Sequence, residues 1–166
     1  MRKSLFPAVL PLVAALLLAP ACSPHAAQPV APAAGQENAH HPVSGLEVVP
    51  LTVAIDGREH HFRVEVARTD AQQAQGLMFR REMGADEGMI FPRDPPRIAS
   101  FWMKNTVLPL DIIFIGPDRR VINVAADTVP YSTDAVVSEG PAAAVLELNA
   151  GRAAELGIGP GALVEW

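Results

Sequence analysis

Between residues 49 and 66 the apolar side chains fall on every second position. Val49, Leu51, Val53 and Ile55 alternate with small or polar residues, Asp56-Gly57 interrupts the run, and Phe62, Val64 and Val66 resume it with Arg63 and Glu65 between them. A period of two on either side of an Asp-Gly step predicts a β-hairpin. Thr69 followed three residues later by Gln72 fits a capping box and predicts a short helix over residues 70–78 that buries Ala74, Leu77 and Met78. Residues 88–91 read as a short strand ended by Pro92 and the Asp94-Pro95-Pro96 loop, since proline cannot donate to a ladder. Further strands are expected at 98–103, 110–115, 121–125, 144–148 and 162–166, with a helical turn over 151–157. About seven short strands and one or two brief helices predict a mainly β (α+β) domain, a mostly antiparallel sheet curled into a barrel or sandwich. Alternating βαβ units are absent, which disfavours a doubly wound fold.

The first 45 residues follow a different pattern. Arg2 and Lys3 precede an uncharged run from Ser4 to Ala21, and Ala19-Pro20-Ala21 leads into Cys22. This reads as a signal peptide over residues 1–21. Cys22, the single cysteine of the chain, then stands where lipidation of an exported protein would fall, which accounts for a lone cysteine in such a protein. Ordinary cleavage to a soluble secreted form and an uncleaved anchor are the alternatives, and Pro7 and Pro11 weigh against the anchor. Residues 22–45 are rich in Ala, Pro, Gln and His without apolar period, the composition of an extended tether. The His40-His41 pair in it reads as solvated linker, with metal capture as the alternative. Residues 46–166 are sufficient for one domain with one core.

Charge narrows the range of partners. The chain carries 13 Lys and Arg against 18 Asp and Glu, a formal charge of −5. Removal of residues 1–21 would take away Arg2 and Lys3 and bring it to −7. Nucleic acid and anionic lipid are therefore poor partners for the folded surface, and membrane association is expected through the lipid anchor alone. No cofactor is expected: the chain has no Gly-x-Ser-x-Gly elbow, His-Glu-x-x-His pair, phosphate-binding loop or dinucleotide fingerprint.

The segments Gln75-Gly76-Leu77-Met78-Phe79-Arg80, Gly88-Met89-Ile90-Phe91, Phe101-Trp102-Met103-Lys104-Asn105-Thr106, Leu110-Asp111-Ile112-Ile113-Phe114 and Val145-Leu146-Glu147-Leu148 resemble the bacterial and archaeal family called domain of unknown function 192. The resemblance covers residues 50–166 and implies a small, mainly β domain, often exported, with no assigned activity. Family members commonly carry Asp where this chain has Ala162, and an Asp-Gly type turn where it has Gly116-Pro117-Asp118-Arg119.

The polar residues embedded in these apolar segments are the candidates for chemistry, because a polar group taken into apolar surroundings is costly unless partnered. Lys104, Asn105 and Thr106 are expected to form a polar tip between strands. A binding pocket flanked by Met78, Arg80, Trp102, Lys104, Asn105 and Asp111 would take a small ligand or an envelope protein; the structural alternative pairs Lys104 with Asp111 and bonds Asn105 to backbone. Asp111 and Glu147 could serve as acid and base in a hydrolase acting on an envelope polymer if they face one cavity. Otherwise Glu147 points outward and Asp111 accepts from Arg80 or Lys104. Met78, Met83, Met89 and Met103, with His60-His61, raise a copper carrier, but methionine on apolar faces is ordinarily core filler and no metal ligand set is assigned.

Overall fold

The structure, a computed structural model, describes residues 39–166. The expected leader, Cys22 and residues 23–38 of the expected tether lie outside the described residues. β1 (Ala39–His40) pairs with the start of β2 (Glu47–Ile55), His40 opposite Glu47, and Gly45 N–H donates to the His41 carbonyl to close the turn. The end of the stretch read as tether is thus held on the sheet: its short Ala-His edge finds free ladder positions on β2.

The hairpin forms as its pattern predicts. β2 and β3 (Arg58–Val66) pair from Val48 opposite Glu65 to Ile55 opposite Arg58. Asp56 and Gly57 both take positive φ, 50° and 73°, the two-residue turn whose twist matches that of the strands. α1 (Asp70–Gln75) carries the capping box between Thr69 and Gln72 but stops short of residue 78. Gly76 turns the chain at φ 47°, so the helix buries nothing: Ala74 is exposed, and Leu77 anchors the turn that follows.

β4 (Glu87–Arg97) runs five residues beyond the expected end at Pro92. Its parallel pairing with β3 covers only Glu87 to Ile90. By Pro92 the strand therefore has a neighbour on one side only, and a missing N–H costs little at an edge. β9 (Ala142–Asn149) pairs antiparallel with β4 on one side and with β6 (Leu110–Ile115) on the other, and β7 (Val121–Ala125) pairs with β6. Between β9 and the last strand, β10 (Leu163–Glu165), lies α2 (Arg152–Leu156); β10 pairs with β2. The order is β1-β2-β3-β4-β9-β6-β7, with β10 beside β2. β5 (Ser100–Phe101) keeps only two residues of the expected strand 98–103 and pairs with β8 (Val136–Val137), a segment too short to show a period.

The sheet curls, and one face encloses Leu51, Val53, Phe62, Val64, Ile90, Ile113, Leu146, Leu148, Ala162 and Val164, contributed by strands from both ends of the order. A single bridge, Arg120 opposite Leu163, spans the gap between the β7 and β10 ends. No ladder closes the sheet, so the barrel alternative is corrected in favour of an open, curled α+β arrangement. The central strands β4, β9 and β6 bury their other face too, in a second core of Met89, Phe91, Met103, Leu110, Ile112, Phe114 and Val145. Covering that second face are the turn after α1 and the segment that follows β5.

Candidate functional site

Side-chain alternation on β9 sends Ala144, Leu146 and Leu148 to the enclosed core and Val145 and Glu147 to the second face. Glu147 stands between Met89 of β4 and Ile112 of β6, both directly opposite it in register. The strands meet tightly there: a Cβ added at Gly88 would lie 2.6 Å from the Glu147 carbonyl oxygen. Over this face the covering segments leave a cleft of about 330 Å³, lined by Gln73, Leu77, Met78, Phe91, Arg93, Phe101, Trp102 and Thr106, with Glu147 as its acid. Phe101 organises the wall, edge-on to Phe91 at 5.1 Å and to Phe114 at 6.3 Å between ring centroids.

Glu147 exposes 5% of its surface and makes no side-chain hydrogen bond or ion pair among the described residues. Burial without a compensating cation or donor disfavours its charged form, so its pKa is pushed up from 4.5 to about 8. Arg93 lines the same cleft with its guanidinium carbon 5.3 Å above the Phe101 ring. Its Nε is shielded from solvent and has no acceptor. Buried polar groups are ordinarily satisfied, so two unpartnered ionisable side chains in one cleft are the chemically conspicuous feature of the molecule.

The residues singled out in the sequence divide among several places. Trp102 and Met78 reach the cleft. Lys104 is exposed and stands with Nζ 5.2 Å from the Trp102 ring rather than pairing with Asp111. Asn105 takes φ 56°; its carbonyl accepts from Phe79 N–H at 2.8 Å and its Nδ2 lies 3.9 Å from the Met78 sulfur, so it stitches the two covering segments together. Arg80 is withdrawn from the cleft, donating to both oxygens of Glu65 at 2.8 and 3.0 Å with His41 Nε2 at 3.3 Å. The Ser44 hydroxyl also donates to Glu65. Arg80 and Met78 border a larger groove of about 820 Å³ with Val43, Leu46 and Phe79. Arg80 and Ser44 there already bond Glu65, so the chemistry concentrates in the smaller cleft.

Asp111 is opposite Leu148 in register and so belongs to the enclosed face. One of its oxygens accepts from the backbone N–H groups of Asp127 and Gly151 at 2.9 and 3.1 Å, the other from that of Ala153 at 2.8 Å. It fastens the start of α2 and the turn at residue 127 to β6. Asp111 is therefore corrected from a pocket residue to a structural one, and it cannot flank a substrate with Glu147 across the sheet. Glu147, expected to point outward unless catalytic, is buried. The sequence reasoning missed Arg93, Phe101 and Gln73. Continuing the alternation of Met89 and Phe91 through Pro92 would have put Arg93 on the cleft face. Met89 and Met103 are core residues, and among the described residues no three of His, Cys, Asp or Glu gather where they could hold a metal.

A curled, mainly antiparallel sheet with two short helices, carrying a cleft that holds Glu147 under two covering segments, defines the class of protein. Residues 51–166 match the profile of the family DUF192, described as "Uncharacterized ACR", and the chain belongs to that family. Among solved structures, a protein of unknown function from Novosphingobium aromaticivorans DSM 12444 is 61% identical, with a TM-score of 0.76 over 77% of this chain and 91% of its own. A Sinorhizobium meliloti 1021 protein, described as a candidate transcription regulator, is 40% identical with a TM-score of 0.71, over 72% of this chain and 94% of its own. No curated protein matches the chain.

Proposed function

We propose that the protein is a binding module for a small ligand, and that the cleft between α1, β4 and the segment around Trp102 is its site. The observation that carries this reading is Glu147: a buried carboxyl with no hydrogen bond or cation, lining a cleft. Such a group costs several kcal/mol relative to an apolar residue, and a ligand that supplies a partner recovers that cost on binding. The half-exposed Trp102, held by Lys104 above its ring, serves as the rim against which a ligand stacks.

The module works on the periplasmic side of a bacterial envelope, delivered by the leader and anchored through Cys22; these features of the sequence support the location. A Cys22→Ser chain that stays with the membrane fraction would refute the anchor. The description of the Sinorhizobium meliloti relative as a transcription regulator does not carry over, because a net charge of −5 disfavours contact with phosphate backbones.

Thermal unfolding across a library of small metabolites tests the site. Compounds that bind the folded state raise its midpoint by mass action. Those effective on the natural protein are expected to lose effect on Trp102→Ala and Glu147→Gln variants that still fold. Equal stabilisation of all three proteins would remove the cleft from consideration.

A further inference from the structure

The cleft contains one permanent charge, and nothing in the described chain neutralises it. Among the described residues Arg93 makes no hydrogen bond or ion pair, and its guanidinium lies over the face of Phe101. Arg97, four residues along the same strand, is also without an ion pair among the described residues. Burial first and the Arg97 charge second hold the Arg93 pKa below its ordinary value, so the guanidinium stands in a locally positive field. A guanidinium keeps its proton at any physiological pH and presents a planar fork that matches the two oxygens of a carboxylate.

From these contacts, and resting on the reading of the cleft as a binding site, we infer that the ligand is a small organic anion: a carboxylate or similar oxyanion on an apolar or aromatic body, its charged end on Arg93 and its body against Phe101, Phe91 and Met78. Phe101, edge-on to Phe91, and Met78 form an apolar wall beside the guanidinium. The volume of about 330 Å³ sits at the low end of the roughly 300–1,000 Å³ found for ligand pockets, which suits a single small molecule rather than a polymer segment. Aromatic walls and a carboxyl would also suit an ammonium ion. Two features decide against it: Arg93 repels a cation, and Glu147 retains its proton at neutral pH, so it offers a neutral donor to an oxygen in place of a negative charge.

Three probes of one shape and different charge separate these cases: benzoate, benzyl alcohol and benzylammonium, titrated calorimetrically into the full chain at pH 7. Benzoate is expected to bind saturably and benzylammonium not to bind. Arg93→Gln should weaken benzoate at least tenfold, Arg93→Lys less, and Arg97→Gln two- to threefold, each variant unfolding at the same temperature as the natural protein. Unchanged benzoate affinity in folded Arg93→Gln would overturn the inference. Binding of benzylammonium or benzyl alcohol instead, abolished by Trp102→Ala, would overturn the anion assignment while leaving the cleft as the site. If none of the three probes binds, the anion assignment is rejected, and the cleft itself stands or falls by the thermal-unfolding screen.

Discussion

Replacing Glu147 by Gln removes a titrating group while keeping its shape, and the consequence for stability depends on pH in a way no purely steric account reproduces. In the folded chain the carboxyl titrates at about 8 rather than 4.5, because burial penalises its charged form. Between those two pH values the folded state holds a proton that the unfolded state has released. Stability therefore falls as pH rises from about 4.5, and levels off above about 8, where both states are ionised. At 1.36 kcal/mol per tenfold change in proton affinity, the full loss is roughly 5 kcal/mol, as an order of magnitude. In Glu147→Gln this contribution is absent. Urea unfolding of both proteins from pH 4 to 9 should show free energies that nearly coincide at the acid end. They should diverge steadily toward pH 8, the Gln variant becoming the more stable by several kcal/mol. Other titrating groups cancel in the difference. A difference that stays constant with pH would refute the reasoning, since it would mean that Glu147 is charged and partnered in the folded protein or ordinarily solvated.

Two further substitutions test the structural assignments. Asp111→Ala strands the buried backbone N–H of Ala153 and the part-buried ones of Asp127 and Gly151 and should lower the unfolding free energy by about 3 kcal/mol, measured by denaturant titration; a loss under 1 kcal/mol would return Asp111 to the candidates for chemistry. Arg80→Ala leaves Glu65 buried without its cation and should cost about 3 kcal/mol or more, whereas the double variant Arg80→Met, Glu65→Leu should recover most of that loss. A double variant no more stable than Arg80→Ala would show that the pair contributes more than mutual neutralisation.

Much of this architecture was legible in the chain because its causes are local. The hairpin follows from alternation and an Asp-Gly turn, α1 from Thr69 and Gln72, and β6 and β7 from apolar runs bounded by turn residues. The site was less legible because its causes are not local. Whether Asp111 or Glu147 meets the cleft depends on a one-residue difference in phase between two neighbouring strands, which reverses the face a side chain occupies. Arg80 looked available until Glu65, fifteen residues earlier, engaged both its terminal nitrogens. Arg93 was hidden by prolines that end a strand in the middle of a sheet but are tolerated where the neighbour has already left. The block from Phe101 to Asp111 proved to be three things: a rim at Trp102 and Lys104, a stitch at Asn105, and a structural anchor at Asp111.

The most direct test of the binding site is an amide chemical-shift map of the isotopically labelled protein against a library of small organic compounds, read together with the same map for Glu147→Gln. The account predicts that the compounds which bind shift amides of residues 73–78, 91–93, 100–106 and 147, and that the Gln variant weakens or abolishes those shifts. Shifts gathered instead along the groove beside Arg80, or no compound shifting the cleft at all, would contradict it.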